Sequence, residues 1–325
     1  MMQNKHVLIY GMGPRFYAPF FHDFLLPEIV LSAENVEVSD KDLSKGKETS
    51  FSFIERSDKF KEYDYIIITS DKYYDEIKKE LISEFNIDAS RFQSIEDIQA
   101  NVFKERLMSG RFVGCSGVEI GGPSKLFESC IYDVVETCDG VNFSGDTVWW
   151  KNTGKGFIVA DKRIGEVIIA DATNLSPIDD EKYDFCMSSN ILEHTANPIK
   201  AMAEMKRIVK KGGVILTIVP NKDTCFDHNR SVTEFVHLID DYKNNTDEKD
   251  LTHLKEILDK HDYEMDDGIA SKEEFAKRAE HNYDNRCLHQ HVFDENLLKN
   301  ICRYLGVKIL SSGKLYNNWF VIGEK

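Results

Sequence analysis

Short apolar runs bounded by glycine, proline or polar turn residues recur along the whole chain, and apolar residues return at helical spacing between them. That alternation predicts α/β units with parallel sheets. In the first part, residues 5–13 read as a strand entering the turn Gly11-x-Gly13, 28–31 as a second strand and 64–70 as a buried one. Tyr74, Ile77, Leu81 and Ile82 share a face of a helix predicted over 73–85, and 94–111 reads as a linking helix. Further on, strand-like runs end at Ile120, Val141, Ala170, Ser189 and Val219. A helix predicted from Pro198 to Lys210 buries Ile199, Met202, Met205 and Ile208, with Gly212-Gly213 as its stop and Lys210-Lys211 at its end. A helix over 296–305 and strands over 307–310 and 318–323 finish the pattern.

The stretch Val118-Glu119-Ile120-Gly121-Gly122-Pro123-Ser124 organises the second part. Paired glycines after a buried strand admit positive φ and close approach of a ligand to the backbone, and the chain from Ser124 can offer helix N–H groups to a polar or anionic group. Taken alone, such a turn is equally well structural punctuation.

Its company narrows the reading. Glu119-Ile120-Gly121-Gly122-Pro123, then Ile169-Ala170-Asp171-Ala172, then Tyr183-Asp184-Phe185 with Ser188-Ser189-Asn190-Ile191-Leu192-Glu193-His194, then Lys211-Gly212-Gly213 resembles class I S-adenosylmethionine-dependent methyltransferases of the small-molecule type. The resemblance runs from near Phe112 to the C-terminus. It implies an α/β fold, a Rossmann-like seven-stranded sheet with a C-terminal antiparallel hairpin, in a domain spanning 99–325. A smaller Rossmann-like α/β domain over 1–98 precedes it, similar to those attached to bacterial sugar-modifying enzymes, and serves either as a nucleotide-docking module or as a scaffold.

The resemblance further implies S-adenosyl-L-methionine as cofactor, with Glu119, Gly121, Gly122, Asn142, Asp171, Ala172 and Ser189 around it. Asp171 is expected to read the adenine edge. Asn142 stands where many such enzymes place an acidic ribose-binding residue, and an amide can still accept one bond and donate another. The adjacent Trp149 and Trp150 read as packing or as a substrate platform.

Charge and composition bound the partners. A formal net charge of −15 over 325 residues opposes nucleic acid, and no basic patch offsets it. No apolar run approaches the roughly 20 residues that a membrane span needs, and the N-terminus lacks a signal-peptide pattern, so a cytoplasmic protein is expected. Seven cysteines without a C-x-x-C pair argue against a disulfide framework or a zinc ribbon.

Residues 221–294 leave the sheet pattern and read as an inserted lid; seven of the ten histidines lie between His228 and His291. Three roles fit this cluster. It can form a metal site, with His289-x-His291 on one strand face completed by His228, His253 or Asp294. It can form an acceptor pocket led by His228 and Arg230, or hold hydrogen-bonded structural histidines. His194 likewise reads as a general base, a cofactor neighbour or a structural hydrogen-bonder.

The acceptor pocket is the reading adopted, with His194, His228, Arg230 and His289 on the acceptor side and no metal assigned. The expected activity is O-methylation of a polar or phosphorylated small molecule, such as a nucleotide-linked sugar in polysaccharide biosynthesis of the bacterial surface; a homo-oligomer is compatible with the sequence. The alternative is a non-catalytic methyltransferase-like scaffold in a biosynthetic complex, which the amide at Asn142 favours.

Overall fold

The computed structural model describes residues 5–17, 21, 25–70, 72–95, 97, 98, 101, 110–128, 130–151, 154–266, 269, 271–315 and 317–325. The chain divides into two compact units, Met1–Ser109 and Gly110–Lys325. The helix expected over 94–111 lies largely outside the described residues.

In the first unit β1 (His6–Tyr10) leads to α1 (Pro14–Tyr17), α2 (Leu26–Ser32), β2 (Asn35–Ser39), β3 (Ser52–Phe53), β4 (Tyr65–Ile68), α3 (Tyr74–Phe85) and β5 (Phe92–Ser94). The strands form a parallel sheet in the order β3-β2-β1-β4-β5. Leu8, Phe60, Ile66, Ile68 and Leu81 pack its core. Residues 28–31, expected as a strand, lie in α2. Pro27 opens that helix, Leu26 and Ile29 are buried one turn apart, and Val30 and Leu31 face solvent, which is helical rather than alternating patterning. Gly11 takes φ +96° in the turn after β1, and the carboxylate of Asp40, just past β2, accepts from Met12 N at 2.5 Å.

Among the described residues the second unit contains β6 (Ser116–Ile120), β7 (Thr137–Asn142), the ribbon β8 (Phe157–Val159) and β9 (Lys162–Gly165), then β10 (Val167–Ile169) and β11 (Tyr183–Ser189). Next come α4 (Pro198–Ile208), β12 (Val209–Pro220), α5 (Phe235–Asn244), α6 (Leu254–Lys260), α7 (Lys272–Glu280), α8 (Asn282–Asn285), α9 (Glu295–Tyr304), β13 (Lys308–Leu315) and β14 (Asn318–Glu324). Seven strands form one sheet, β10-β7-β6-β11-β12-β14-β13, in which β14 runs antiparallel to both neighbours. This is the expected Rossmann-like seven-stranded sheet with its C-terminal antiparallel hairpin. Strand order reverses between β6 and β11, so the crevice beyond their C-terminal ends is where such a sheet binds ligands.

Two local expectations fail. Ser124 opens a single 3-10 turn, Lys125–Phe127, rather than a helix, and Tyr132 Oη accepts from the Ser124 N–H at 2.9 Å, which removes the donor offered to a ligand. The helix starting at Pro198 is capped by the Asn197 side chain and stops at Ile208, before the glycines. The chain turns directly into β12, whose register against β11 slips between Val209 and Val214. Gly212 at φ +75° and Gly213, where a Cβ would meet Asp184 O at 2.5 Å, accommodate that irregularity, and Lys210 pairs with Asp184 at 2.7 Å from within the strand.

Among the described residues of 221–294 the regular elements are helices and short 3-10 turns, and α6 and α7 enclose a small core of Ile257, Phe275, Ala279 and Leu288. Burying each large apolar side chain there contributes roughly 1.5–3 kcal/mol, while Leu238 of α5 and Phe293 pack into the core of the sheet. No described helix is long and apolar enough to cross a membrane.

Candidate functional site

A cavity of about 560 Å³ opens at the C-terminal ends of β6, β7, β10 and β11 and reaches the start of the insertion. Its walls bring together Gly121, Asn142, Asp171, Ala172, Ser189, His194 and His289 from the expected set. Glu119, Gly122, His228 and Arg230 are not in the wall.

The glycine turn is built differently from the open cradle that was expected. A Cβ on Gly121, which sits at φ +84°, would meet Ile191 Cδ1 at 2.0 Å, and one on Gly122 would meet the Glu119 carboxylate at 2.0 Å. Protein side chains therefore fill the space that the glycines leave. Glu119 is fully buried beneath the turn and accepts from Ser124 Oγ and Tyr132 Oη. Burial pushes its carboxyl up to about 7, against the pull of those two donors. Its role here is to hold the turn. Asn142 Nδ2 donates to Gly122 O at 3.0 Å, which fixes the amide and leaves Oδ1 to face a ligand.

Asp171 is more engaged than a free strand-end carboxylate. Oδ1 accepts from Thr173 N at 2.9 Å and Thr173 Oγ1 at 2.7 Å, while Oδ2 accepts from Arg286 at 3.0 Å. Arg286 also reaches Glu248 at 3.1 Å and lies over the Phe143 ring at 5.1 Å. Burial raises the Glu248 carboxyl to about 7, with Arg286 opposing. Arg286 and Glu248 line the cavity, were absent from the sequence-derived set, and come from the insertion, over a hundred residues in the case of the Asp171–Arg286 pair.

The acceptor end is a packed group of rings. His194 lies 4.6 Å edge-on from His289 and 5.3 Å from Trp149, and Phe226 stands 4.6 Å from His289. Trp149 is thus a wall of the cavity, whereas Trp150 is not. Leu288 O accepts from His194 Nδ1 at 3.1 Å, which makes Nε2 the lone-pair nitrogen. Burial, with His289 adding, pushes His194 down to about 3, so it stays neutral.

His289 is held the opposite way. Its Nδ1 donates to Asp227 Oδ2, and although burial opposes a charge there, the Asp227 carboxylate outweighs it and raises the imidazole above its ordinary value. Burial would raise Asp227 too, but His289 and then Arg230 hold it at about 2. Arg230 pairs with Asp227 at 2.9 Å and donates to the carbonyls of His289 at 2.7 Å and Gln290 at 3.2 Å. It is a buried clamp behind the dyad, with no face on the cavity. His228 pairs with Asp262 at 2.7 Å, away from the cavity wall. Of the four acceptor-side residues expected, His194 and His289 line the cavity and His228 and Arg230 do not; Asp227, also outside the wall, bears on it through His289. Glu193, buried beside both histidines, lines the cavity, and burial lifts its carboxyl to about 7.

Asp227 sits next to His228 in the polar run after β12, and its adjacency to that histidine was the available signal. The pairing of His289 with Asp227, across the entire insertion, has no local signature. His289-x-His291 does not share a strand face either: residues 286–294 form no strand, and His291 contacts the His237 and His253 rings instead.

Comparison with known proteins adds family information for the sheet. Residues 119–217 match the family model described as a methyltransferase domain. A 101-residue stretch is 31% identical to an uncharacterized methyltransferase of Mycolicibacterium vanbaalenii, covering 31% of this chain and 37% of that protein. A 66-residue stretch is 39% identical to the uncharacterized protein MJ1123 of Methanocaldococcus jannaschii, covering 20% and 32%. The chain thus spans about a third of the length of these curated relatives. A solved S-adenosylmethionine-dependent methyltransferase from Mesorhizobium loti aligns with a TM-score of 0.42 at 11% identity, over 69% of this chain and 96% of that one.

Proposed function

We propose that this chain, whose residues 119–217 form a class I methyltransferase domain, methylates an oxygen of a polar or phosphorylated small molecule with S-adenosyl-L-methionine as donor. The observation that carries the reading is the Asp227–His289 dyad, set beside neutral His194 in the cavity beyond the sheet's switch point. The cavity suits the cofactor: Asn142 Oδ1 and the remaining lone pairs of Asp171 offer hydrogen-bond acceptors at adjacent strand ends, and Ile120, Phe143 and Ile191 offer apolar walls. When bound, the cofactor supplies an electrophilic methyl group on a sulfonium.

An alcohol acceptor must lose a proton as it attacks, and in this reading His289 takes it. Asp227 fixes the imidazole by its Nδ1–H, so Nε2 is the accepting nitrogen, and the imidazolium that results is paired with a carboxylate already in place. Arg230 keeps Asp227 ionised and oriented. His194 and Trp149 confine the acceptor against the cavity mouth, and orientation in a closed wall is a large share of what such a reaction needs. A nucleotide-linked sugar or another phosphorylated precursor of a bacterial surface glycan is the acceptor class proposed, in a cytoplasmic setting, by analogy with the paired Rossmann-like unit.

The non-catalytic alternative draws support from Asp171, whose carboxylate is already shared between Thr173 and Arg286. Turnover assays with S-adenosylmethionine and a panel of phosphorylated and nucleotide-linked sugars separate the two. Methylated product that disappears in His289→Ala supports the enzyme, and cofactor-independent behaviour across the panel supports the scaffold.

A further inference from the structure

Behind the cavity wall lies a second group of histidines that the proposed reaction does not use. His237 and Asp241 occupy one face of α5 at i,i+4, His253 immediately precedes α6, and His291 lies in the irregular segment after α8. One ring nitrogen from each histidine falls within 4.8 Å of the other two. His237 Nε2 and His253 Nε2 face each other at 2.9 Å, and Asp241 Oδ2 stands 3.3 Å from His237 Nε2 and 3.8 Å from His291 Nε2.

Hydrogen bonding within the group does not satisfy it. Two facing imidazole nitrogens can share one proton, which serves that pair alone. Asp241 Oδ2 and His291 Nδ1 are both buried without a hydrogen-bond partner, and His291 is 1% exposed. Leaving such atoms unpaired is costly, and a native interior rarely tolerates several together. What the group lacks is positive charge at its centre. Three imidazoles converging from separate segments, with the Asp241 carboxylate beside two of them, are a donor set suited to a borderline cation.

The surroundings fit as an outer shell. Ala196 O lies 3.2 Å from His291 Nε2, placed to fix its tautomer, and Asp241 Oδ1 accepts from Thr246 Oγ1 at 3.0 Å, which leaves Oδ2 for the centre. Asp250 adds negative charge near both His253 and Asp241. The site also sits at a joint. Asn197 Nδ2 donates to Asp241 O at 2.9 Å, and His291 N donates to Glu193 O at 3.2 Å, so the same residues hold the insertion to the loop between β11 and α4.

We propose that His237, His253, His291 and Asp241 bind a divalent transition-metal ion of the zinc class, and that the ion fastens the helical insertion to the sheet domain. Asp241, beside two of the three histidines, is the group at hand to close the fourth position, which gives the ion a structural role. His291 lies two residues from His289, and the ion thereby holds the segment that presents the dyad to the cavity.

The test uses the full chain, expressed with zinc in the medium. Elemental analysis is expected to find about one zinc per chain, and an anomalous-difference map at the zinc edge is expected to place it among His237, His253 and His291. His253→Asn is expected to lose the metal and His194→Asn to keep it. A peak instead beside Glu193, His194 and His289, the other histidine group with suitable donors, would overturn the assignment. So would metal-free protein that takes up neither Zn²⁺ nor Co²⁺ on titration. The map on the unmutated chain decides the question even where a variant fails to fold.

Discussion

His289 and His291 are separated by a single residue, yet they belong to groups with opposite electrostatics. His289 has its proton committed to Asp227, and Arg230 is paired with the same carboxylate from behind. His291 joins His237, His253 and Asp241, where lone pairs converge and two polar atoms have no donor. The difference teaches that a histidine-rich stretch is not one feature. Which chemistry each ring serves is decided by what the fold places opposite it: a carboxylate that steadies an imidazolium in one group, further lone pairs that call for a cation in the other.

The largest way to break this comparison is to remove the dyad's base. His289→Ala is expected to lower kcat by roughly 10²- to 10⁴-fold while cofactor affinity stays near wild type; equal losses in both would assign His289 to folding. Removing the ion probes the other group. A chelator is expected to lower the melting temperature by roughly 5–10 °C, the size of a tightly bound ligand's stabilisation in a domain this large. A melting curve indifferent to chelator would leave the second group as ordinary hydrogen-bonded histidines.

Acid–base behaviour sharpens the contrast further. Since His289 must be neutral to accept a proton and Asp227 raises its pKa, the rising limb of the pH–rate profile should lie above the ordinary histidine value near 6.5. Asp227→Asn removes the carboxylate, so the limb should move to lower pH as the rate at its plateau falls. A limb that does not move would exclude the dyad. The smallest effect is expected at His228, whose only described ion pair is the partly exposed one with Asp262. His228→Ala should change turnover by less than about threefold, in keeping with the weak contribution of surface pairs.

The sheet was legible because its central strands β6, β11 and β12 carry apolar runs followed by turn residues, and the motif residues Gly121, Asp171 and Ser189 lie at or just past strand ends. The errors came where a local signal had two solutions. Gly212-Gly213 suits a helix stop or a strand irregularity, and the pairing of Lys210 with Asp184 decided for the latter. Residues 28–31 are apolar enough for a strand, but Pro27 and the burial of Leu26 and Ile29 made a helix. At the site, His194 and His289 could be named because histidines are scarce and conspicuous. Asp227, Glu248 and Arg286 could not be placed, because their partners lie across the insertion and ordinary acidic and basic residues carry no mark of burial. His228 and Arg230 were drawn in by the same proximity in sequence that concealed Asp227 between β12 and the clamp.

The most direct measurement is calorimetric titration of the full chain with S-adenosylmethionine and S-adenosylhomocysteine, beside the Asp171→Ala variant. The account predicts binding of both by the wild type and an affinity lower by about 1–3 kcal/mol in the variant, the cost of leaving a hydrogen-bonding partner unmade. Absence of binding in the wild type would contradict it, and the arrangement of Asp171, Arg286 and Glu248 would then stand as the closed interior of a scaffold.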